Sequence, residues 1–253
     1  EAVSVCHVGV AGDKFASACL AETSWVSKQL DNSNKCYIIV SSAVLEDYNS
    51  GMILAQLAEN PLVRGIRQII NYEPSWPRNE QLGDLLSNPR WCEGYAELKI
   101  YSLSYDFQLN PHQFRDAARL VEKHPETPVI IGHLGSPTLN DLTEKKEVYW
   151  DGLKAFSDQE KTCIKISMLS YIDPNWGKSS LVQETVLRII DLFGIDRCFF
   201  ASNFPVENHF GWNANRLYNA FVGLIDHQYN HEDQQKLFAD NAKKVYRVET
   251  IQQ

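Results

Sequence analysis

The feature that most constrains this chain is an alternation of short apolar runs with longer stretches of helical periodicity, sustained from end to end. The runs lie at Val5–Val10, Cys36–Ser41, Arg64–Ile70, Tyr105–Leu109, Pro128–His133, Cys163–Met168 and Cys198–Phe204. Most are near-continuous Val, Ile, Cys and Phe. That pattern belongs to parallel strands covered on both faces, whereas a strand with one wet face would alternate. Between them the helices carry their own signals. Asn110-Pro111 supplies a cap and a first-turn proline before residues 112–124, where Phe114, Ala117, Ala118 and Val121 share a face. Ser179-Ser180 opens Leu181–Phe193, which stops at Gly194. Asn230 and Asp233 are spaced as a capping box ahead of a last helix over His231–Tyr246.

A succession of βα units leaves two architectures, a (β/α)8 TIM barrel or an open doubly wound sheet. A dinucleotide-binding sheet would carry G-x-G-x-x-G after its first strand. Here Gly9 and Gly12 are followed by Asp13-Lys14-Phe15, which does not fit. A P-loop motif is also missing. The barrel is therefore the expected fold, with seven strands visible and the first apparently missing. No linker or composition break divides residues 1–253, so a single domain is expected.

Charge and composition narrow the function. The net charge is −8 and no basic cluster offsets it, which argues against a nucleic-acid partner. No apolar run approaches the roughly 20 residues needed to cross a bilayer. The six cysteines form no C-x-x-C pair and read as buried free thiols of a reducing, cytoplasmic compartment. A small-molecule substrate is the expected partner.

In a barrel, chemistry sits at the C-terminal ends of the strands. His133 ends the run Val129-Ile130-Ile131-Gly132-His133, where an imidazole serves as base, metal ligand or oxyanion partner, or simply bonds a loop carbonyl. Asn203 closes the last strand. Its amide orients water or forms an Asx-turn, but it takes up no proton at neutral pH. His7, on the first visible strand, is either a substrate contact or a packed core residue. Arg67 and Gln68 bring a guanidinium and an amide suited to an anionic or hydroxyl-rich ligand, or to a structural ion pair. Strand parity puts Asp106 with Gln108 and Lys165 with Ser167. A lysine inside the apolar run Cys163–Met168 needs an anion, and Asp106 or Glu97 is the candidate partner. His209, His227 and His231 read as surface residues. Neither a G-x-S-x-G nucleophile elbow nor an H-E-x-x-H zinc helix occurs.

Taken together, these residues resemble the amidohydrolase-related, metal-dependent-hydrolase-like TIM-barrel proteins, and within them the sugar-lactone and pyrone-dicarboxylate lactonase branch. The likeness is carried by Cys6-His7-Val8, Val63-Arg64-Gly65-Ile66-Arg67-Gln68 and Ser104-Tyr105-Asp106-Phe107-Gln108. It continues through Gly132-His133-Leu134-Gly135-Ser136-Pro137, Ile164-Lys165-Ile166-Ser167, Ala201-Ser202-Asn203-Phe204-Pro205 and Asn241-Ala242-Lys243-Lys244-Val245-Tyr246. The resemblance implies that His7 lies on the family's strand two, with its first strand and H-x-H pair upstream of Glu1. It also implies an Asp where Asn203 stands, and a histidine or lysine metal ligand where Asp106 and Gln108 stand. Against those departures no metal is assigned, and a divalent ion such as zinc is expected only if an upstream H-x-H pair exists. The implied activity is hydrolysis of a small sugar-acid or carboxylated lactone. His133, Asn203 and His7 are its catalytic candidates, and Arg67, Gln68, Asp106, Gln108, Lys165 and Ser167 its substrate contacts. The rivals are a catalytically silent homologue that binds a ligand or partner, and a metal-dependent decarboxylase. An open barrel edge predicts an N-terminal segment or a homo-oligomer contact to cover it.

Overall fold

A computed structural model of the chain describes residues 4–7, 16–30, 37–77 and 83–248. Strands and helices alternate as β1 (Ser4–His7), α1 (Ala16–Leu30), β2 (Tyr37–Ser42), α2 (Ser50–Ala58), β3 (Val63–Ile69), α3 (Pro89–Glu97), β4 (Ser104–Gln108), α4 (Phe114–Lys123) and β5 (Val129–Ile131). They continue with α5 (Leu139–Leu142), α6 (Lys146–Ser157), β6 (Thr162–Ile166), α7 (Ser180–Phe193), β7 (Cys198–Phe200), α8 (Ala214–Ile225), α9 (His231–Gln235) and α10 (Asn241–Val245). Strands β2 to β7 form a curled six-stranded parallel sheet, a half-barrel, in sequence order. The backbone of β1 runs parallel to β2, from Ser4 beside Tyr37 to His7 beside Val40.

The strands read as continuous apolar runs because each of their faces meets a different core. The outer face buries Ile39, Ile66, Tyr105, Phe107, Ile131, Ile164, Cys198 and Phe200 beneath the helices. The inner face buries Ile38, Val40, Ile130 and Phe199 against Ala242 and Tyr246 of the C-terminal segment. Period-two geometry sorts alternate residues between these cores, so neither parity is free to be polar by default. Polar residues on the inner face are therefore exceptions that need partners.

Helix signals are honoured with shifts at their ends. Gln113 Oε1 accepts from the Asn110 N–H at 2.9 Å, and residues Pro111–Gln113 form a tighter 3-10 turn, so α4 starts at Phe114. Its buried face is Phe114, Ala117, Ala118 and Val121, as the spacing requires. Gly194 ends α7 at φ 79°. Asn230 caps α9, its Oδ1 accepting from the Asp233 N–H at 3.0 Å. The expected single helix over His231–Tyr246 runs without interruption to Val245, with a π-helical turn inside it at Lys236–Asp240. The wider turn brings Asn241 to the start of β7, where its amide donates to the carbonyls of Ile195 at 2.7 Å and Cys198 at 2.8 Å. That anchor directs Ala242 and Tyr246 onto the inner face of the sheet.

Three strands end at least two residues sooner than the apolar runs suggest, β6 among them at Ile166 ahead of Met168 at φ 59°. β5 stops at Ile131 because His133 and Leu134 take left-handed backbone at φ 57° and 56°, which no ladder accepts. β7 stops at Phe200, and Asn203 turns away at φ 55°. Cys19 and Cys198 are buried, while Cys92 and Cys163 are partly buried. Burial pushes the Cys163 thiol up to about 11, so it stays protonated at neutral pH. Cys6 and Cys36 lie where no side chain is described. Among the described residues, no helix is long and apolar enough to cross a membrane.

Candidate active site

Register and parity together aim a charged set at the inner face. Arg67 on β3 sits beside Asp106 on β4, and Lys165 on β6 beside Phe199 on β7. The Lys165 ammonium donates to Asp106 Oδ2 at 2.9 Å, with the two side chains only 5% and 2% exposed. The Tyr246 hydroxyl donates to the same oxygen at 2.6 Å. Lys165 Nζ also stands 5.4 Å from the centre of the Tyr246 ring. A buried carboxylate thus receives an ammonium and a phenol, which repays part of the cost of taking both charges out of water. Burial lowers the Lys165 pKa and Asp106 opposes that shift. Burial, followed by the Asp106 charge, holds the Tyr246 phenol well above its ordinary range.

His133 forms the second centre. Its left-handed turn after β5 brings Nδ1 to 2.9 Å from Ser167 Oγ, just past the end of β6. Burial, and then the positive charges of Arg67 and Lys165, hold the imidazole well below the usual histidine range. It is therefore neutral at neutral pH, a half-buried proton acceptor beside fixed cations. The Arg67 guanidinium donates to the side-chain oxygen of Gln108. Burial lowers its pKa, and the charge of Asp106 raises it.

His133, Ser167, Arg67, Gln108, Asp106 and Lys165 are thus linked by bonds or electrostatic interaction on one face. Gln68, expected as a substrate contact, is not brought together with them. Parity puts it on the opposite face from Arg67. Its Oε1 accepts from Trp91 Nε1 at 2.9 Å and the Leu45 N–H at 3.2 Å, while Nε2 donates to Glu46 at 2.8 Å. Asn203 is also elsewhere, with its amide 3.3 Å from Glu207 Oε1. Glu207 is buried, and its other oxygen accepts from the Ser170 hydroxyl. His7 contributes described backbone in β1, but its side chain lies outside the described residues. His209, His227 and His231 are exposed. Sequence reasoning missed Tyr246 as a site residue and did not single out Glu207, the buried partner of Asn203. Tyr246 carried one faint signal, its place on the apolar face with Ala242; Glu207 carried none.

The described residues thus form a parallel α/β half-barrel that carries an inward-facing charged set on its strands. The chain belongs to the amidohydrolase family, whose model matches residues 11–248. An uncharacterized protein of Sinorhizobium fredii is 30% identical over 249 residues, covering 97% of this chain and 81% of that one. An amidohydrolase of Burkholderia multivorans, solved with bound HEPES, superposes with a TM-score of 0.80 at 16% identity, over 98% of this chain and 84% of that one. A putative 2-pyrone-4,6-dicarboxylic acid hydrolase of Pseudomonas putida gives a TM-score of 0.72 at 14% identity, covering 98% of both chains. Both show the same TIM-barrel-like fold.

The described donors do not suit a divalent metal. Among the described residues, no three His, Cys, Asp or Glu side chains converge to hold an ion. Asp106, the inward carboxylate, has Oδ2 shared by an ammonium and a phenol, and a cation placed there would face Lys165.

Proposed function

We propose that the chain is a hydrolase that opens a small sugar-acid or carboxylated lactone by water attack at the barrel mouth. The observation carrying this reading is His133, a neutral imidazole bonded to Ser167 beside the charge of Arg67. In the tautomer with its proton on Nδ1, His133 donates to Ser167 and leaves Nε2 free to accept a proton from water. The hydroxide equivalent forms a C–O bond to the lactone carbonyl, and the electron pair moves to the carbonyl oxygen, which Arg67 stabilises. Collapse breaks the ring C–O bond, and the imidazolium returns its proton to the departing alkoxide. Water and lactone thereby give one hydroxy acid. A substrate carboxylate suits Arg67 with Gln108, while Lys165 acts through its field because Asp106 holds it.

A pH-stat screen of sugar-acid and dicarboxylate lactones tests the reading. Turnover is expected on at least one, and His133→Ala should lose about 10²- to 10⁴-fold in kcat. No turnover, or turnover undiminished in that variant, overturns it. A second reading, a catalytically silent barrel, draws on Asn203, whose amide is held by Glu207 and takes up no proton. It expects the screen to stay flat while a carboxylated lactone still binds.

A further inference from the structure

At the opposite, N-terminal end of the sheet the C-terminal segment brings two guanidinium groups together. Arg64 is the second residue of β3, and Arg247 follows Tyr246 in a left-handed turn at φ 52°. Each donates to the other's main-chain carbonyl, Arg247 Nη2 to Arg64 at 2.7 Å and Arg64 Nε to Arg247 at 3.4 Å. Arg64 Nη1 is held by the carbonyls of Pro61 and Val63. These bonds satisfy hydrogens but leave both charges uncompensated. No carboxylate among the described residues bonds to either arginine, and Arg64 Nη2 and Arg247 Nη1 and Nε have no protein acceptor there. Burial and the neighbouring Arg64 charge both push the Arg247 pKa down, a repulsion that an anion would relieve. The pair opens on a cleft of about 280 Å³ lined also by Pro61, Tyr101, Ser102 and Leu103.

We propose that this cleft binds a phosphate monoester, with the dianion between Arg64 and Arg247 and its small organic part against Tyr101 and Pro61. Two adjacent uncompensated guanidinia match a dianion with several acceptor oxygens, whereas a monocarboxylate neutralises only one of them. The cleft is larger than a phosphate group and has an apolar side, which accounts for the ester. A chain of net charge −8 does not gather such anions over its general surface, so the positive charge here is local. Arg247 adjoins Tyr246, so the bound anion would also clamp the segment whose phenol meets Asp106.

Isothermal titration of the full chain with glycerol 3-phosphate, inorganic phosphate and lactate tests the proposal. Saturable binding of the ester is expected, weakened about tenfold or more by Arg64→Gln and by Arg247→Gln, with weaker binding of inorganic phosphate and none of the monocarboxylate lactate at this site. Bound ester should also slow amide exchange over residues 241–248. No saturable ester binding up to about 10 mM, or binding unchanged in the variants, overturns the site. Inorganic phosphate binding as tightly as the ester overturns the ester assignment. Should Arg64→Gln fail to fold, as judged by circular dichroism, the exposed Arg247→Gln and the charge-keeping Arg247→Lys decide the question. The lysine variant is expected to bind more weakly than wild type because an ammonium lacks the planar fork.

Discussion

Lys165 shows how much one buried charge requires of its surroundings. Replacing it with Met removes the ammonium that pairs with the buried Asp106 carboxylate, and a loss of about 3–5 kcal/mol is expected by urea denaturation. A Lys165→Met, Asp106→Leu double variant should recover much of that loss, because both charges are then gone. The apolar run already demanded an anion for Lys165 but left Asp106 and Glu97 equal. The structure selects Asp106 because β4 turns it inward, whereas Glu97 ends α3, with its carboxylate beside Gly51. His133 makes a second residue-scale prediction. Its folded-state pKa lies below the unfolded value of about 6.5. Below that value the unfolded chain binds more protons than the folded one, so stability should fall as the solution is acidified from about pH 6.5. Denaturation midpoints of wild type and His133→Gln, measured between about pH 7 and pH 5, should diverge with the wild type losing more. An imidazole at a strand end was legible in sequence. Its depressed pKa was not, since it depends on burial in the folded chain and then on Arg67 and Lys165 from two other strands.

At the scale of elements, the C-terminal turn decides what the site contains. Asn241 holds two carbonyls at the start of β7 with one amide nitrogen, and the π-helical turn before it sets that reach. Asn241→Ala removes both bonds while leaving the carbonyls buried, and a loss of about 1–3 kcal/mol is expected from thermal unfolding. Since the same anchor aims Tyr246, the variant should also speed amide exchange around residue 246. A 3.6-residue period reads straight through the π turn, which is why the sequence suggests one continuous helix. The strand runs were overextended for a related reason. Hydrophobicity continues through Leu134 and Phe204, but the left-handed residues His133 and Asn203 end the ladders, and nothing in their apolar neighbours announces the sign of φ.

Across the whole molecule, the inner core is closed by a contact spanning 140 residues of sequence, from Tyr246 to Asp106. Tyr246→Phe keeps the ring and loses a hydrogen bond to a charged group, and should cost about 1.5–3 kcal/mol. Tyr246→Ala also empties the space, and should cost about 3–5 kcal/mol or more. Urea midpoints of the two variants separate these contributions. If both cost the same, the ring contributes no packing and the inner face is not a closed core. The amidohydrolase scaffold thus ties Asp106 of β4 to a segment more than 40 residues beyond the last described strand.

The order of strands and helices, the two-faced burial of the sheet and the family itself were set by local pattern. Hydrophobic period, caps and short motifs are properties of neighbouring residues, and they survive without knowledge of the fold. Which face each polar residue occupies, which charge pairs with which, and what fills the inner face were decided only by tertiary structure. Gln68 and Arg67 are adjacent in sequence, yet one is tied to Trp91 and Glu46 and the other joins Gln108 on the inner face. The reason is physical: strand parity separates neighbours by a full sheet thickness, while register and the returning C-terminal segment bring Asp106, Lys165 and Tyr246 within hydrogen-bond reach.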